Sequence, residues 1–129
     1  MTDVDPFLAV TALPDLARTT FKTPGAGNVA KPFTVREVGR DEVVLRTSRG
    51  GRVTLRAEAF FATHKALADL GAVEEGGWVR TSDETLGAIL ATENREHGVT
   101  SYVLPLLEAA GLVELDRGRP ARARVRGAT

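Results

Sequence analysis

The segment SYVLPLLEAAGLVELDRGRPARARVR, residues 101–126, changes its hydrophobic period half-way along. Leu104, Leu107 and Ala110 recur at helical spacing, and Gly111 supplies a helix end. The runs LVELD and ARARVR that follow are typical of short strands and flank the turn RGRP. The segment therefore predicts one helix followed at once by a β-hairpin with an arginine-rich tip.

A second helix is predicted immediately before this segment. Residues 81–98, TSDETLGAILATENREHG, begin with capping residues and acids, as a helix N-terminus prefers. Leu86, Ile89 and Leu90 form its apolar stripe, and Gly98 ends it. Pro105 is tolerated only early in the next helix, which we therefore expect to begin near Ser101 or Tyr102.

The order helix, turn, helix, hairpin resembles a winged helix-turn-helix domain of the MarR-like and PadR-like regulators over about residues 81–126. The recognition-helix pattern and wing entry of these families match Ser101, Leu104, Leu107, Glu108, Ala110, Gly111, Leu112 and Val113. Their wing pattern matches Gly118, Arg119, Pro120, Arg122 and Arg124. The resemblance implies a non-enzymatic, cytoplasmic DNA-binding protein that acts in transcription regulation or as another DNA-associated factor.

The resemblance also implies a contact surface on double-stranded DNA. In such domains the recognition helix enters the major groove, and wing arginines reach a phosphate or the narrow minor groove. On this chain, Arg117 and Arg119 would enter or flank the minor groove, and Arg122 and Arg124 would touch phosphates. Thr100, Ser101 and Tyr102 would lie at the major groove.

The first half of the chain predicts a three-stranded antiparallel β-meander followed by a helix. FTVREV, EVVLRTS and RVTLR alternate with period two, with turns at residues 39–41 and 48–51. Phe33, Val35, Val43, Leu45, Val53 and Leu55 then face the core. Thr34, Arg36, Thr54 and three further arginines face outward: Arg46, Arg52 and Arg56. This face either extends the phosphate track or is simply solvated.

The helix AEAFFATHKALADLG follows, with Phe60, Phe61, His64, Leu67, Ala68 and Leu70 on its predicted apolar side and Gly71 at its end. The predicted fold is α+β, in three parts that pack as one unit. Residues 1–32 form a helix and a loop, residues 33–76 form the meander and its helix, and residues 77–129 form the winged helix-turn-helix. Trp78 is interpreted as a core plug between the last two parts.

Composition excludes several classes of protein. The chain has no cysteine, so disulfides and cysteine-ligated zinc are excluded. Its two histidines lie on separate predicted helices without metal-ligand spacing, no nucleophile motif is present, and we expect no cofactor. No apolar run is long enough to span a membrane.

The charge balance keeps a second interpretation open. The 17 basic and 17 acidic residues cancel, whereas proteins that bind DNA by charge usually have a basic excess. No Lys or Arg lies between Arg95 and Arg117, so the predicted recognition helix lacks the strongest base readers. The alternative is a protein–protein interaction module or an accessory subunit of a nucleic-acid-processing or defence complex. Homodimerisation through the N-terminal segment is a further alternative.

Overall fold

The computed structural model describes residues 5–23, 31–72, 75–80, 100–117 and 121–126. The architecture is α+β. Its helices are α1 (Pro6–Thr11), α2 (Ala57–Gly71) and α3 (Thr100–Ala109). Its strands are β1 (Thr20–Lys22), β2 (Pro32–Val38), β3 (Glu42–Thr47), β4 (Arg52–Arg56), β5 (Val79–Arg80), β6 (Val113–Asp116) and β7 (Arg122–Val125). The helix predicted over residues 81–98 lies outside the described residues.

The first sheet has four antiparallel strands in the order β1-β2-β3-β4, one more than the sequence predicted. The additional strand β1 lies within residues 1–32, for which the sequence predicted only a helix and a loop. It pairs Thr20 with Thr34 and Lys22 with Pro32. A strand of three residues is too short to show a period of two, so its pairing with β2 defines it.

The residues predicted to face the core from this sheet do so. Phe33, Val35, Val43, Leu45 and Leu55 are buried, and Val53 is partly buried. The pairing moves from Val35 opposite Leu45 to Glu37 opposite Val44, which makes Arg36 the extra residue of a β-bulge. A bulge bends its strand and changes the direction of the local side chains.

The predicted apolar side of helix α2 is correct in part: Phe60 and Leu67 are buried and Leu70 packs against the core, but Phe61 and Ala68 are exposed. Ala59, Phe60, Thr63, Ala66 and Leu67 are buried, while Phe61 is 46% exposed and Ala68 is also exposed. Neighbouring positions on a helix point about 100° apart, and on α2 the buried side includes Ala59 and Phe60 but not Phe61. The buried Thr63 is tolerated because its hydroxyl donates a hydrogen bond of 2.7 Å to the Ala59 carbonyl oxygen.

The second sheet contains the predicted hairpin and one further strand, in the order β5-β7-β6. Val113 lies opposite Val125, and Asp116 lies opposite Arg122. The chain enters this hairpin through Gly111, whose φ of 79° favours glycine. The Leu112 N–H donates to the Leu107 carbonyl oxygen at 3.0 Å, as expected for a Schellman helix end.

Helix α3 lies in the middle of the hydrophobic core. It packs against α1, α2, β1 and β6. Val103, Leu104, Leu106 and Leu107 are completely buried, and one core cluster includes side chains from both sheets and all three helices. The helix begins at Thr100, slightly before the predicted start, so Pro105 is its sixth residue.

Candidate nucleic-acid interface

The arginines of the β6–β7 hairpin face acidic residues on the neighbouring strand. Arg122 lies opposite Asp116, and its Nη2 atom is 2.7 Å from the Asp116 Oδ2 atom. Arg124 lies opposite Glu114, and its Nε donates to the Glu114 carboxylate. Both side chains that were predicted to touch phosphates therefore carry an anionic partner within the protein. Contact with a phosphate would require them to share or exchange that partner.

Trp78 lies beside these two ion-paired arginines. The guanidinium carbon of Arg124 lies 4.4 Å from the centroid of the Trp78 ring, and that of Arg122 lies 5.6 Å away. Arg124 Nη1 also donates to the carbonyl oxygen of Gly76 at 3.1 Å. Cations over the face of a tryptophan are attracted by its ring quadrupole. Trp78 is half-buried and stabilises the hairpin arginines, whereas the sequence suggested only a core plug.

Close backbone packing places Trp78 beside the hairpin. A Cβ atom on Gly71, at the end of α2, would lie 2.7 Å from the carbonyl oxygen of Gly77. The connector therefore passes too close to the helix end for any side chain at position 71. Gly77 itself has a φ of 77°, which favours glycine.

Arg117 joins three parts of the fold. Its Nη1 atom donates to the carbonyl oxygens of Thr23 at 2.8 Å and Lys22 at 3.3 Å. Its Nη2 atom lies 3.2 Å from the Glu108 Oε1 atom on α3. The guanidinium predicted to enter or flank a minor groove thus binds the end of β1 and the end of α3. Arg119, assigned to the same groove, lies outside the described residues.

The start of α3 was predicted to lie at the major groove. The Tyr102 ring packs edge-on against Phe33, with centroids 5.2 Å apart. The side chains of residues 103–107 are all buried and leave no surface open to a groove. Thr100 and Ser101 form the first turn of α3, and their side chains lie outside the described part of the chain.

The outer face of the first sheet carries a different set of arginines. Arg46 lies directly opposite Arg52, and both are exposed. Arg36, the bulge residue, joins them around a shallow cavity of about 230 Å³. Within the described residues, none of these three guanidinium groups forms an ion pair or hydrogen bond. The side chains were predicted to face outward, but the sequence did not single out Arg36 as a site residue.

Arg56 has a different environment from the other arginines of this face. It lies opposite Glu42 in the register and lines a second depression. That depression is also lined by Gly39, Arg40, Asp41, Glu42 and Glu58, so acids outnumber arginines there. The predicted phosphate track of Arg46, Arg52 and Arg56 is therefore divided between a basic depression and an acidic one.

Other candidate chemistry is sparse in the described part. His64 is half-buried on α2, and burial lowers the pKa of its imidazole. Among residues 5–23, 31–72, 75–80, 100–117 and 121–126, no group of three His, Asp or Glu side chains is arranged to hold a metal ion. No helix within those ranges is long and apolar enough to cross a membrane.

No protein-family model, curated protein or solved structure matches the chain. The candidate interface is therefore defined by its own geometry. Two groups of arginines differ in their partners: Arg117, Arg122 and Arg124 are paired with acids, whereas Arg36, Arg46 and Arg52 around the basic depression of the first sheet form no ion pair within the described residues.

Proposed function

We propose that the protein is a non-enzymatic DNA-binding factor that contacts the phosphate backbone through the outer face of its first sheet. Arg46 and Arg52 provide the central contacts, and Arg36 lies beside them. The observation that best supports this proposal is that these exposed guanidinium groups form no ion pair with an acidic side chain in the described part of the chain. Arginine binds phosphate in a bidentate manner through its planar set of donors, and these donors are available here.

A winged-helix arrangement of the second half is part of this proposal. The described elements support it by their order: α2, β5, α3, and the hairpin of β6 and β7. Strand β5 pairs with β7, so that the strand before α3 joins the hairpin in one sheet. Transcription regulation remains the role that this architecture favours.

The wing takes a secondary part in the proposed contact. Arg122 and Arg124 lie on one strand but are held by Asp116 and Glu114. Surface ion pairs are weak, commonly contributing about 0–1 kcal/mol, so a DNA phosphate competes with them at low cost. A phosphate contact would cost Arg117 more, because its guanidinium also donates hydrogen bonds to the backbone carbonyl oxygens of Lys22 and Thr23 at the end of β1.

Fluorescence anisotropy of labelled duplexes across a salt series tests the proposal. Each phosphate contact contributes about 0.9 to the slope of log K against log salt concentration, so the double variant Arg46→Gln/Arg52→Gln should lose about two units of slope. Arg40→Gln is the matched control, because Arg40 is exposed in the turn between β2 and β3 of the same sheet but lines the acidic depression. An unchanged slope in the double variant would show that this face does not contact DNA.

A protein-interaction module is the second candidate, and two exposed apolar side chains favour it. Leu8 is 62% exposed on α1, and Phe61 is 46% exposed on α2. The two helices are held together by the edge-on contact of Phe7 with Phe60. Failure to bind any duplex at low salt, together with flow-through on heparin, would favour this module or accessory subunit over DNA binding.

A further inference from the structure

The basic depression of the first sheet combines charges that an isolated sheet would avoid. Arg46 and Arg52 form a directly opposed cross-strand pair, and like charges in that position repel. Arg36 adds a third guanidinium at the rim, by way of the bulge in β2. Glu37 lines the same cavity but makes no ion pair with any of the three within the described residues. Repulsion between neighbouring charges that the fold does not neutralise is expected at a ligand-binding site.

The shape of the depression allows an anion to enter. Its floor includes Val44, which is only 5% exposed, and the backbone of Leu45 passes beside it. One side is bordered by Gly50 and Gly51, which have no side chains to obstruct the opening. The cavity of about 230 Å³ is open to solvent on the outer face. A small anionic group could therefore contact several guanidinium groups at once.

The charge of the depression selects among anions. Three arginines against one glutamate leave two positive charges. A phosphomonoester carries about −1.5 to −2 charges at pH 7 and presents three acceptor oxygens. A backbone phosphodiester carries a single negative charge and offers two non-bridging oxygens. The monoester therefore matches both the charge and the number of donors better than the diester.

The acidic depression of the same sheet provides an internal comparison. It is lined by Arg40 and Arg56 together with Asp41, Glu42 and Glu58, and so has one net negative charge. The two depressions share the sheet and both contain arginine, but only the first has an excess of positive charge. Anion binding should therefore distinguish one from the other.

We propose that Arg36, Arg46 and Arg52 form a binding site for a phosphomonoester group. This inference goes beyond the proposed function, because a monoester occurs at the end of a nucleic acid or on a small metabolite but never within a strand. Arg46 and Arg52 are shared with the DNA-contacting face. Arg36 distinguishes the two, because only the monoester needs all three guanidinium groups.

Methyl phosphate and dimethyl phosphate are the matched probes for this site. Titration of the full chain, followed by NMR of the arginine Nε–H and glycine amide signals, should show methyl phosphate shifting Arg36, Arg46, Arg52, Gly50 and Gly51. Its affinity should be at least about tenfold higher than that of dimethyl phosphate, since the diester has half the charge. Equal affinity for the two probes, or shifts spread over all exposed arginines, would overturn the proposal.

Variants test the individual residues. Arg36→Gln, Arg46→Gln and Arg52→Gln should each weaken methyl phosphate binding by about tenfold, and Arg40→Gln should leave it unchanged. All four positions are exposed, and thermal melts of each variant verify that the fold is retained. Retention of full affinity in Arg36→Gln would overturn the three-arginine site.

Two further pairs of probes identify the source of the monoester. A duplex with 5′-phosphates is compared with the same duplex lacking them, and adenosine 5′-monophosphate is compared with adenosine. Preference for the phosphorylated duplex assigns the site to nucleic-acid ends, and binding of the mononucleotide alone assigns it to small phosphorylated molecules. Methyl phosphate binding without any duplex binding contradicts the proposed function but supports this site. Duplex binding without methyl phosphate binding supports the proposed function and contradicts this site.

Discussion

The guanidinium carbon of Arg124 lies 4.4 Å from the centroid of the Trp78 ring, while its Nε atom is bound to Glu114 on the adjacent strand. Arg124, which lies on β7, thus contacts both Trp78, in the segment between α2 and β5, and Glu114 on the neighbouring hairpin strand β6. The sequence contains a single tryptophan, so tryptophan fluorescence reports on the surroundings of this one ring, which include Arg124 and Arg122.

We expect Arg124→Gln to lower the free energy of unfolding by about 1 kcal/mol. An exposed cation–π contact contributes about 0.5–1 kcal/mol, and a surface ion pair adds somewhat less. Trp78 emission should shift to longer wavelength as its ring gains contact with water. Urea denaturation followed by fluorescence measures both effects, with the exposed Arg126→Gln as the control. The contact would have no stabilising role if both variants had the wild-type midpoint.

Replacing Arg117 by methionine should destabilise the fold by about 1–2 kcal/mol. Hydrogen bonds to charged groups contribute about 1.5–3 kcal/mol, and partial exposure of this side chain reduces that value. Methionine keeps the aliphatic stem but loses the contacts to Lys22, Thr23 and Glu108. Chemical denaturation and the salt slope of DNA binding should be measured on the same variant. Normal stability with a reduced slope would instead assign Arg117 to a groove.

Arg52→Thr should stabilise the protein. The substitution removes one of two directly opposed like charges and introduces a residue that is favoured in strands. The expected gain is about 0.2–1 kcal/mol in dilute buffer. It should shrink toward the propensity contribution at 1 M salt, where the Debye length is about 3 Å. Arg40→Thr, in a turn without an opposed arginine, is the control. A loss of stability would show that the two guanidinium groups do not repel.

His64 should make stability dependent on pH. Burial lowers the pKa of its imidazole from the ordinary value of 6.5, so the unfolded chain holds this proton more tightly than the folded one. Stability is therefore greatest above pH 6.5 and falls as the pH decreases through the interval between 6.5 and the lower folded pKa. Denaturation at pH 7.5 and pH 5.5 should show a smaller difference for His64→Gln than for the wild type. Parallel pH profiles would contradict the role of burial.

Local sequence patterns predicted the elements with strong periodicity. The alternation of Phe33, Val35, Val43 and Leu45 gave the inner face of the first sheet correctly, and Gly111 marked the end of α3. Strands β1 and β5 have three and two residues, so their hydrogen bonds depend on partners that the tertiary fold supplies. The exposure of Phe61 was missed because an apolar residue beside the core stripe looks the same in sequence as one within it.

The site was harder to predict than the fold. Alternation correctly placed Arg46 and Arg52 outside, but which acidic side chains come close enough to pair with them depends on how the strands pair. The bulge that brings Arg36 to the same depression has no signal in the sequence. Two partners of Arg117, the carbonyl oxygens of Lys22 and Thr23, lie more than 90 residues away, so no local pattern could indicate that its guanidinium binds them.

That separation has a consequence for how the chain folds during synthesis. The carbonyl oxygen of Thr23 is made 94 residues before the arginine that binds it. Strands β2, β3 and β4 pair with their immediate neighbours and can form a sheet as soon as they leave the ribosome. Helix α3, which contacts β1 and whose Tyr102 packs on Phe33, is made only later. Until then the Tyr102 ring does not cover Phe33, and apolar surface exposed in this way makes a nascent chain prone to aggregate.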